Sequence, residues 1–414
     1  MYFGLVVTKA ILILYLGWAV KFVSNQPVHF NTLEWAKKAN VRFLKPYYLL
    51  RLANEGGTLL RRQEVEERVP DAYWDISSIT SNVLFEKQLL VVSHCWESMQ
   101  HCDPTGSQLQ KLAKWLTTTQ VSTHLGEEGM AIDKIKGIFI DFSSLHQYPR
   151  TTVSQQECFK LATENMQCLY TAVWAKIVRV EELEPWGDLS KSVEICKMSG
   201  TVGTMVMVSL QELKRNDVPF IQRGWCIAER CWMASKAFGQ NNLVCGSSSP
   251  FGLMSPDEFD NYVDSKGDLK FTHRSDVVPV KALVRQVFEK QKASMSTYTF
   301  NEPLQPEQVA STFDALCAFT CLANLHLENL RIWGVEAAAE LARRVALSKT
   351  ADYVCIKDAD EPQLKAMVEH LVGRWATVTI EFEGSTPRQI SQATRAGWIS
   401  RTRGERFKSC CKWF

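Results

Sequence analysis

The sequence has no excess of charge of either sign. Its 47 basic and 45 acidic residues give a formal net charge of +2, so no basic or acidic surface for nucleic acid or an anionic membrane is indicated. It also has no long Gly/Ser/Pro tract and no block of like charges, which argues against disorder. With 414 residues, 46% of them hydrophobic, the chain is long enough for two or three packed domains.

Several signatures of enzymes and metal sites are missing as well. The 13 cysteines include no CxxC pair, and Cys410-Cys411 has no partner ligands at zinc spacing, so we expect no metal site. No Walker loop, kinase signature, GxSxG or HExxH occurs, so hydrolase, kinase and metalloprotease functions lack support. The cysteines are scattered and odd in number, which predicts reduced thiols in a cytoplasmic protein.

The N-terminal stretch Met1–Val23 is mostly apolar, but its uninterrupted part, Ala10–Val20, is short of the roughly 20 residues that a membrane-spanning helix needs. A longer span requires Lys9 to reach the interface. A signal peptide fits poorly, because the charge lies inside the segment and no A-x-A-like cleavage site follows. The pattern leaves two alternatives, a buried or interfacial helix and a membrane anchor.

Short, continuous apolar runs in the centre of the chain predict strands that are buried on both faces. They alternate with segments of helical periodicity, including 155–173 and Trp225–Phe238. This alternation predicts an α/β fold with a doubly wound, mostly parallel sheet flanked by helices. Polar residues at the carboxyl ends of such strands commonly bind ligands. The predicted strands are Leu89–Ser93, Gly137–Asp141, Lys176–Val180 and Thr204–Leu210.

The C-terminal part has a β-α rhythm of its own. Strand-like segments at Asn324–Glu328, Tyr353–Ile356 and 377–382 start roughly 25 to 29 residues apart, the period of β-α leucine-rich repeats. The first unit, Leu322 to Gly334, resembles the ribonuclease-inhibitor type of repeat. A small three-stranded α+β cap is the alternative, and either would provide a binding region for a protein partner.

These patterns divide the chain into six predicted segments. The central one is the α/β domain, and the last is a basic tail. The segments are an apolar helix (1–23), a helical lead-in (24–84), the α/β domain (85–295), a linker (296–310), the β-α repeat region (311–400) and the tail (401–414).

Four elements of the central part resemble one family. Val91–Trp96 resembles the opening L-S-Y-x-W strand motif of HET (heterokaryon incompatibility) domains. Gly137–Gln147 is similar to their W-I-D-x-x-C-I-N-Q segment, and Met166–Ala172 resembles their M-x-x-I-Y-x-x-A helix. Arg223–Glu229 resembles both the HET R-x-W-x-x-Q-E element and the TIR S-x-W-C-x-x-E-L element. The four follow the family's order over roughly 140 residues.

The resemblance implies a TIR/flavodoxin-like fold in an intracellular signalling or defence protein. In NAD-consuming TIR domains the essential carboxylate is the Glu of the Trp-Cys-x-x-Glu element, here Glu229. Cleavage of the nicotinamide–ribose bond passes through an oxocarbenium-like state that a carboxylate stabilises. NAD is then a substrate, and no bound cofactor is expected. The candidate substrate-binding residues are Ser93, His94, Trp96, Asp141, Gln147 and Trp225.

Structural roles are the alternative for each of these residues. Glu229 would pair with Arg223 or Arg230 in an ordinary ion pair, Trp225 would anchor its helix, and Asp141 would cap a turn. His94 would be a hydrogen-bonded structural histidine. The chain would then be a non-catalytic module that self-associates through the α/β domain. Its sequence predicts no nucleic-acid partner and a membrane contact only through residues 1–23.

Overall fold

The computed structural model describes residues 31–118, 134–173, 175–199, 202–236, 242–246, 250–265, 269–271, 274–300, 302–347, 353–357, 359–371 and 379–383. The chain divides into two compact units, Met1–Asn31 and Thr32–Phe414. The predicted N-terminal helix Met1–Val23 and the basic tail lie outside the described residues. Within the ranges given above, no helix combines the length and the apolar character needed to cross a membrane.

Among the described residues before β1, from residue 31 onward, the structure has four α-helices. Pro46 occupies the first turn of the second helix, where its fixed φ and missing N–H are tolerated. Between the first two helices, Leu44 pairs with Ile138 through two backbone hydrogen bonds of 2.9 and 2.8 Å. The lead-in is therefore attached to the sheet that follows it. The helices are α1 (Thr32–Lys38), α2 (Pro46–Asn54), α3 (Arg62–Arg68) and α4 (Asn82–Lys87).

The central sheet contains four described strands in the order β2-β1-β3-β6, and every neighbouring pair is parallel. The α/β class with a mostly parallel sheet flanked by helices is therefore confirmed. All six residues of β1 are buried, because parallel strands carry helices on both faces. The strands are β1 (Leu89–His94), β2 (Gly137–Phe139), β3 (Lys176–Val180) and β6 (Asn242–Val244).

Side chains alternate between two cores on the faces of this sheet. Leu89 and Val91 belong to one core, and Leu90 and Val92 belong to the other, as expected for the period of two along a strand. The flanking helices of this part of the chain are α5 (Ser107–Thr118), α6 (Asp141–Ser144), α7 (Val153–Asn165), α8 (Gln167–Thr171), α9 (Gly224–Ala234), α10 (Pro256–Ser265) and α11 (Val277–Lys292).

Two predicted helices have different bounds. The helix expected over 155–173 is two helices, α7 and α8, with Met166 between them. The helix expected over Trp225–Phe238 begins one residue earlier and is described to Ala234, and Phe238 lies outside the described residues.

The prediction that Thr204–Leu210 is the fourth strand of the parallel sheet was wrong. This segment belongs to β5 (Val202–Ser209), which pairs antiparallel with β4 (Ser192–Ser199) in a separate two-stranded sheet. The physical reason is the short connection between β4 and β5, since parallel strands need a crossover of a dozen or more residues. The fourth parallel strand is β6, which follows the crossover helix α9.

The C-terminal part forms a second parallel sheet with the order β10-β9-β8-β7. Its strands begin at Thr297, Asn324, Tyr353 and Thr379, and so 27, 29 and 26 residues apart. Neighbours in the sheet are neighbours in the chain, and a helix precedes each of the last three strands. The elements are β7 (Thr297–Phe300), α12 (Pro306–Leu316), β8 (Asn324–Leu327), α13 (Val335–Leu347), β9 (Tyr353–Lys357), α14 (Glu361–Leu371) and β10 (Thr379–Glu383).

The segment 296–310, expected as a linker, is structured instead. It contains β7, whose four residues are buried, and the first turn of α12. The alternation of Thr297, Tyr298, Thr299 and Phe300 carries the strand signal, and Tyr298 and Phe300 pack into the C-terminal core. The repeat region therefore starts with one strand more than the sequence indicated.

Candidate functional site

The candidate residues come from three separate parts of the chain. Ser93 and His94 end β1, Asp141 opens α6 directly after the extended residues that follow β2, and Glu229 lies in α9. Because β1 and β2 are parallel, their carboxyl ends meet at one edge of the sheet. α9 packs against β1, and so brings Glu229 to the same edge.

Ser93 and Glu229 are joined by a hydrogen bond in which the serine hydroxyl donates to Oε2 of the carboxylate. Tyr170 of α8 hydrogen-bonds the same carboxylate. Only 9% of Glu229 is exposed. Burial raises the pKa of Glu229 to about 7, and the charge of Asp141 adds to this rise, against the lowering effect of the two hydroxyl donors. The group is therefore close to half-protonated at neutral pH.

His94 is held between two acceptors. Its Nδ1 is 2.9 Å from Gln108 Oε1 and its Nε2 is 3.0 Å from Asp141 Oδ1. The amide of Gln108 is oriented by its own nitrogen, which donates to the carbonyl oxygens of Cys95 and Cys102 and to a carboxylate. Gln108 Oε1 must therefore accept a hydrogen bond from the N–H at Nδ1 of His94.

Both ring nitrogens of His94 consequently carry protons. Burial disfavours the imidazolium, but the hydrogen bonds and charge of Asp141, together with Gln108, outweigh it and raise the pKa of His94 to about 9. The histidine acts as a fixed cation beside Asp141 rather than as a general base. The structural alternative considered for His94, a hydrogen-bonded histidine, describes these contacts.

Asp141 contacts several neighbouring residues at this edge. Besides His94, it accepts the indole N–H of Trp96 at 3.0 Å and its own neighbouring backbone N–H, from Phe142, at 2.6 Å. About a third of its side chain, 33%, is exposed. The side-chain amide of Gln147 donates to the backbone oxygen of Asp141 at 3.0 Å. Trp96 and Gln147 therefore hold the turn in which Asp141 lies.

Trp225 contacts a different partner from the other candidates. Its indole N–H donates to Asp276 Oδ2 at 3.0 Å, and its ring packs against the core on the α9 side of the sheet. Trp225 thus ties α9 to the start of α11, 51 residues further along the chain.

The expected ion pair between Glu229 and a neighbouring arginine is replaced by other contacts. Arg223 donates to the backbone oxygens of Trp96, Asn216 and Val218. Arg230 donates to Glu181 at 3.0 Å. Glu229 faces the hydroxyls of Ser93 and Tyr170 instead, because α9 presents it to β1.

Two small cavities lie elsewhere in the described part of the molecule, and neither is lined by Ser93, Asp141 or Glu229. The larger one has about 30 Å³ for the centres of water molecules, enough for about two waters. Its wall includes Arg179, whose guanidinium bonds Glu181 at 2.8 Å and Glu302 at 2.9 Å. Among the residues for which side chains are described, no group of three or more His, Cys, Asp or Glu side chains is arranged to hold a metal ion.

Two residues of the site were not singled out from the sequence as site residues. Tyr170 lies within Met166–Ala172, one of the segments that carry the resemblance, but a tyrosine in a helical pattern gives no sign of where its hydroxyl bonds. The position of Gln108 in the sequence does indicate a buried polar residue. It stands four residues before Leu112 and eight before Leu116, so it is a polar residue on the buried stripe of α5, where it requires polar partners.

Gly106 allows α5 to start where it does. Its φ is +75°, and a Cβ at this position would lie 2.5 Å from the carbonyl oxygen of Gly57. Only glycine fits such a left-handed, crowded turn. The turn places Gln108 against His94.

Comparisons of the chain with models of protein families, with curated proteins and with solved structures found no match.

Proposed function

We propose that this chain is a HET/TIR-like protein that cleaves the nicotinamide–ribose bond of NAD, with Glu229 as the essential carboxylate. The observation that supports this proposal best is the convergence of Ser93, Asp141 and Glu229 at the carboxyl edge of β1 and β2. Carboxyl edges of parallel sheets are the usual place for ligands in α/β proteins. A carboxylate with a strongly raised pKa at such an edge is a candidate for catalysis.

The strand order supports the finer, TIR/flavodoxin-like fold within this proposal. Numbered in chain order, the four parallel strands follow the order 2-1-3-4, which is the beginning of the flavodoxin-like order. In that arrangement the connections leave β1 in opposite directions, and the crevice opens between β1 and β3. Ser93 and His94, opposite Arg179 and Val180, end β1 at this crevice.

Each residue has a role in the proposed reaction. Glu229, in its ionised form, faces the ribose and stabilises the positive charge that develops as nicotinamide leaves. Ser93 and Tyr170 fix the direction of its carboxylate. The ring of His94 holds Asp141 in place through a hydrogen bond, where the partly exposed Asp141 meets a ribose hydroxyl. Nicotinamide needs no general acid, since it leaves NAD as a neutral base.

The test is nicotinamide release from NAD by the purified protein. Glu229→Gln keeps the shape of the side chain and is expected to lower turnover about 100-fold or more. Glu86→Gln is the matched control, because Glu86 is also buried but lies in α4, before the amino end of β1. If both variants retain turnover, or both lose it, Glu229 is not the essential carboxylate.

A non-catalytic module is the second candidate. Glu229 is only 9% exposed, and the two cavities described above lie elsewhere, which favours a structural role for the carboxylate. The module would self-associate through the α/β domain, while the β-α repeats, which we assign to a degenerate leucine-rich repeat, bind a protein partner in the cytoplasm. Absence of turnover at high concentration, together with dimers or larger species in light scattering, would support this candidate.

A further inference from the structure

Two cysteine side chains face each other at the junction of β1 and α9. Cys95 directly follows β1, and Cys226 lies in the first turn of α9, 131 residues further along the chain. Both pack with Phe220 in one small cluster, with exposures of 0% and 6%. The thiol of Cys226 donates to the backbone oxygen of His94, the residue next to Cys95, at 3.8 Å, and the thiol of Cys95 donates to the backbone oxygen of Glu181 at 4.0 Å. Both cysteines are free, and their side chains pack together in this cluster.

The surroundings of this pair favour a thiolate. The neighbouring Cys226 has the largest effect on the Cys95 thiol, and Arg223 and the imidazolium of His94 also oppose the effect of its burial. Together they lower the pKa of Cys95, while the neighbouring Cys95 and burial raise the pKa of Cys226. Thiolates near cationic groups are the reactive cysteines of proteins.

Other buried cysteines among the described residues have a raised pKa instead. Burial raises the pKa of Cys102 and Cys231 well above the ordinary value, so these thiols stay protonated and unreactive. Cys95 and Cys226 therefore combine a neighbouring thiol with stabilising positive charge.

We propose that Cys95 and Cys226 are a redox modification site that closes to a disulfide when hydrogen peroxide reaches the pair. One thiolate attacks a peroxide oxygen, the O–O bond breaks, and the leaving hydroxide takes up a proton to form water. The sulfur of the resulting sulfenic acid is attacked by the second thiol. The S–S bond forms, and the released hydroxide and proton leave as a second water. Two electrons pass from the two thiols to the peroxide, which is reduced to two waters.

The disulfide would alter the edge that carries the candidate site. A covalent bond between Cys95 and Cys226 would tie the first turn of α9 to the end of β1. The bond between Ser93 and Glu229 joins the same two elements. An effect of oxidation on NAD cleavage rests on the proposed function, whereas formation of the disulfide does not.

Peptide mapping of the full chain tests the proposal directly. The purified protein is treated with increasing hydrogen peroxide, and its free thiols are alkylated in guanidinium before proteolysis without reductant. We expect a linked peptide containing Cys95 and Cys226, lighter by two hydrogen atoms than its parts, that disappears on reduction. It should form at a lower peroxide dose than oxidation of Cys102 or Cys168.

Two cysteine variants test whether the link depends on Cys226 in particular. In Cys226→Ser the linked peptide is lost and Cys95 is oxidised further, whereas Cys231→Ser, a buried cysteine of the same helix, forms the link as the native chain does. The proposal is overturned if the native chain yields both peptides fully alkylated at a dose that oxidises the exposed Cys317 or Cys321. A link from either cysteine to a third one also overturns it. The native chain alone supplies these results, so misfolding of a variant does not affect them, and they are independent of NAD turnover.

Discussion

Replacement of Glu229 by glutamine should stabilise the protein at high pH and leave its stability nearly unchanged at low pH. Burial raises the pKa of Glu229 from an ordinary value of 4.5 to about 7. A carboxyl group whose pKa is higher in the folded state binds its proton more tightly there. Its stabilising contribution is complete below pH 4.5 and is lost as the pH rises through 7. Glutamine cannot ionise, so the variant escapes this loss.

The size of the effect follows from the difference between the two pKa values. Each pKa unit corresponds to 1.36 kcal/mol, so the shift corresponds to about 3 kcal/mol at pH 8. Urea unfolding of the native chain and of Glu229→Gln, at several pH values between 4.5 and 8, measures it. The free energy of unfolding of the variant should rise relative to that of the native chain by about 3 kcal/mol across this range.

Glu340 supplies a control of opposite sign. The hydrogen bond from Arg343 has the largest effect on Glu340, and together with Arg344 it outweighs the effect of burial and lowers the pKa of this carboxyl to about 2. The stability that it contributes is present above pH 4.5 and is lost only as the pH falls towards 2. Glu340→Gln should therefore weaken the fold equally at pH 5 and pH 8. A difference between native chain and Glu229→Gln that is flat or falls with pH would refute the reasoning for Glu229.

Three further outcomes follow from contacts of the same structure. Tyr170→Phe removes one donor to Glu229 and should lower the free energy of unfolding at pH 8 by about 1–3 kcal/mol, with a smaller decrease at pH 4.5. Urea unfolding at the two pH values measures this, and an equal decrease at both would contradict the contact. Gln108→Met leaves Nδ1 of His94 without an acceptor and should lower the pKa of His94 from about 9. An NMR titration of the imidazole ring measures this pKa, and an unchanged value would contradict the assigned orientation of the Gln108 amide. Leu325→Ala should weaken the C-terminal core by about 2–5 kcal/mol, whereas Met207→Ala, at an exposed position, should change stability little in thermal unfolding.

The sequence predicted the parts of the fold that depend on local pattern. The continuous apolar run Leu89–Ser93 indicated a strand with both faces covered, and β1 is such a strand. The period of the C-terminal strands indicated β-α units whose neighbours bury each other, and the second sheet has this order. Ser93, at the end of the first strand, and Asp141, just after the second, lie at the same edge of the sheet, where Ser93 contacts Glu229 and Asp141 contacts His94.

The pattern around β5 shows where such reasoning fails. Val202–Ser209 is as rich in apolar residues as a parallel strand, and its sequence does not show which strand it pairs with. It pairs with β4, which lies directly before it in the chain, and the pairing is antiparallel over eight residues. A hairpin closes a short loop and loses less chain entropy than a crossover, so the local partner is preferred.

The sequence alone therefore indicated several of the strands and helices and the polar groups at their ends, because hydrophobic periodicity acts over a few residues. Only the tertiary structure decided the partners of those groups. It placed Glu229 against Ser93, 136 residues apart, and gave His94 two hydrogen-bond acceptors and hence a fixed positive charge. It also packed the side chains of Cys95 and Cys226 into one cluster. Protonation and reactivity depend on burial and on nearby charges, and these come from chain segments that local pattern does not bring together.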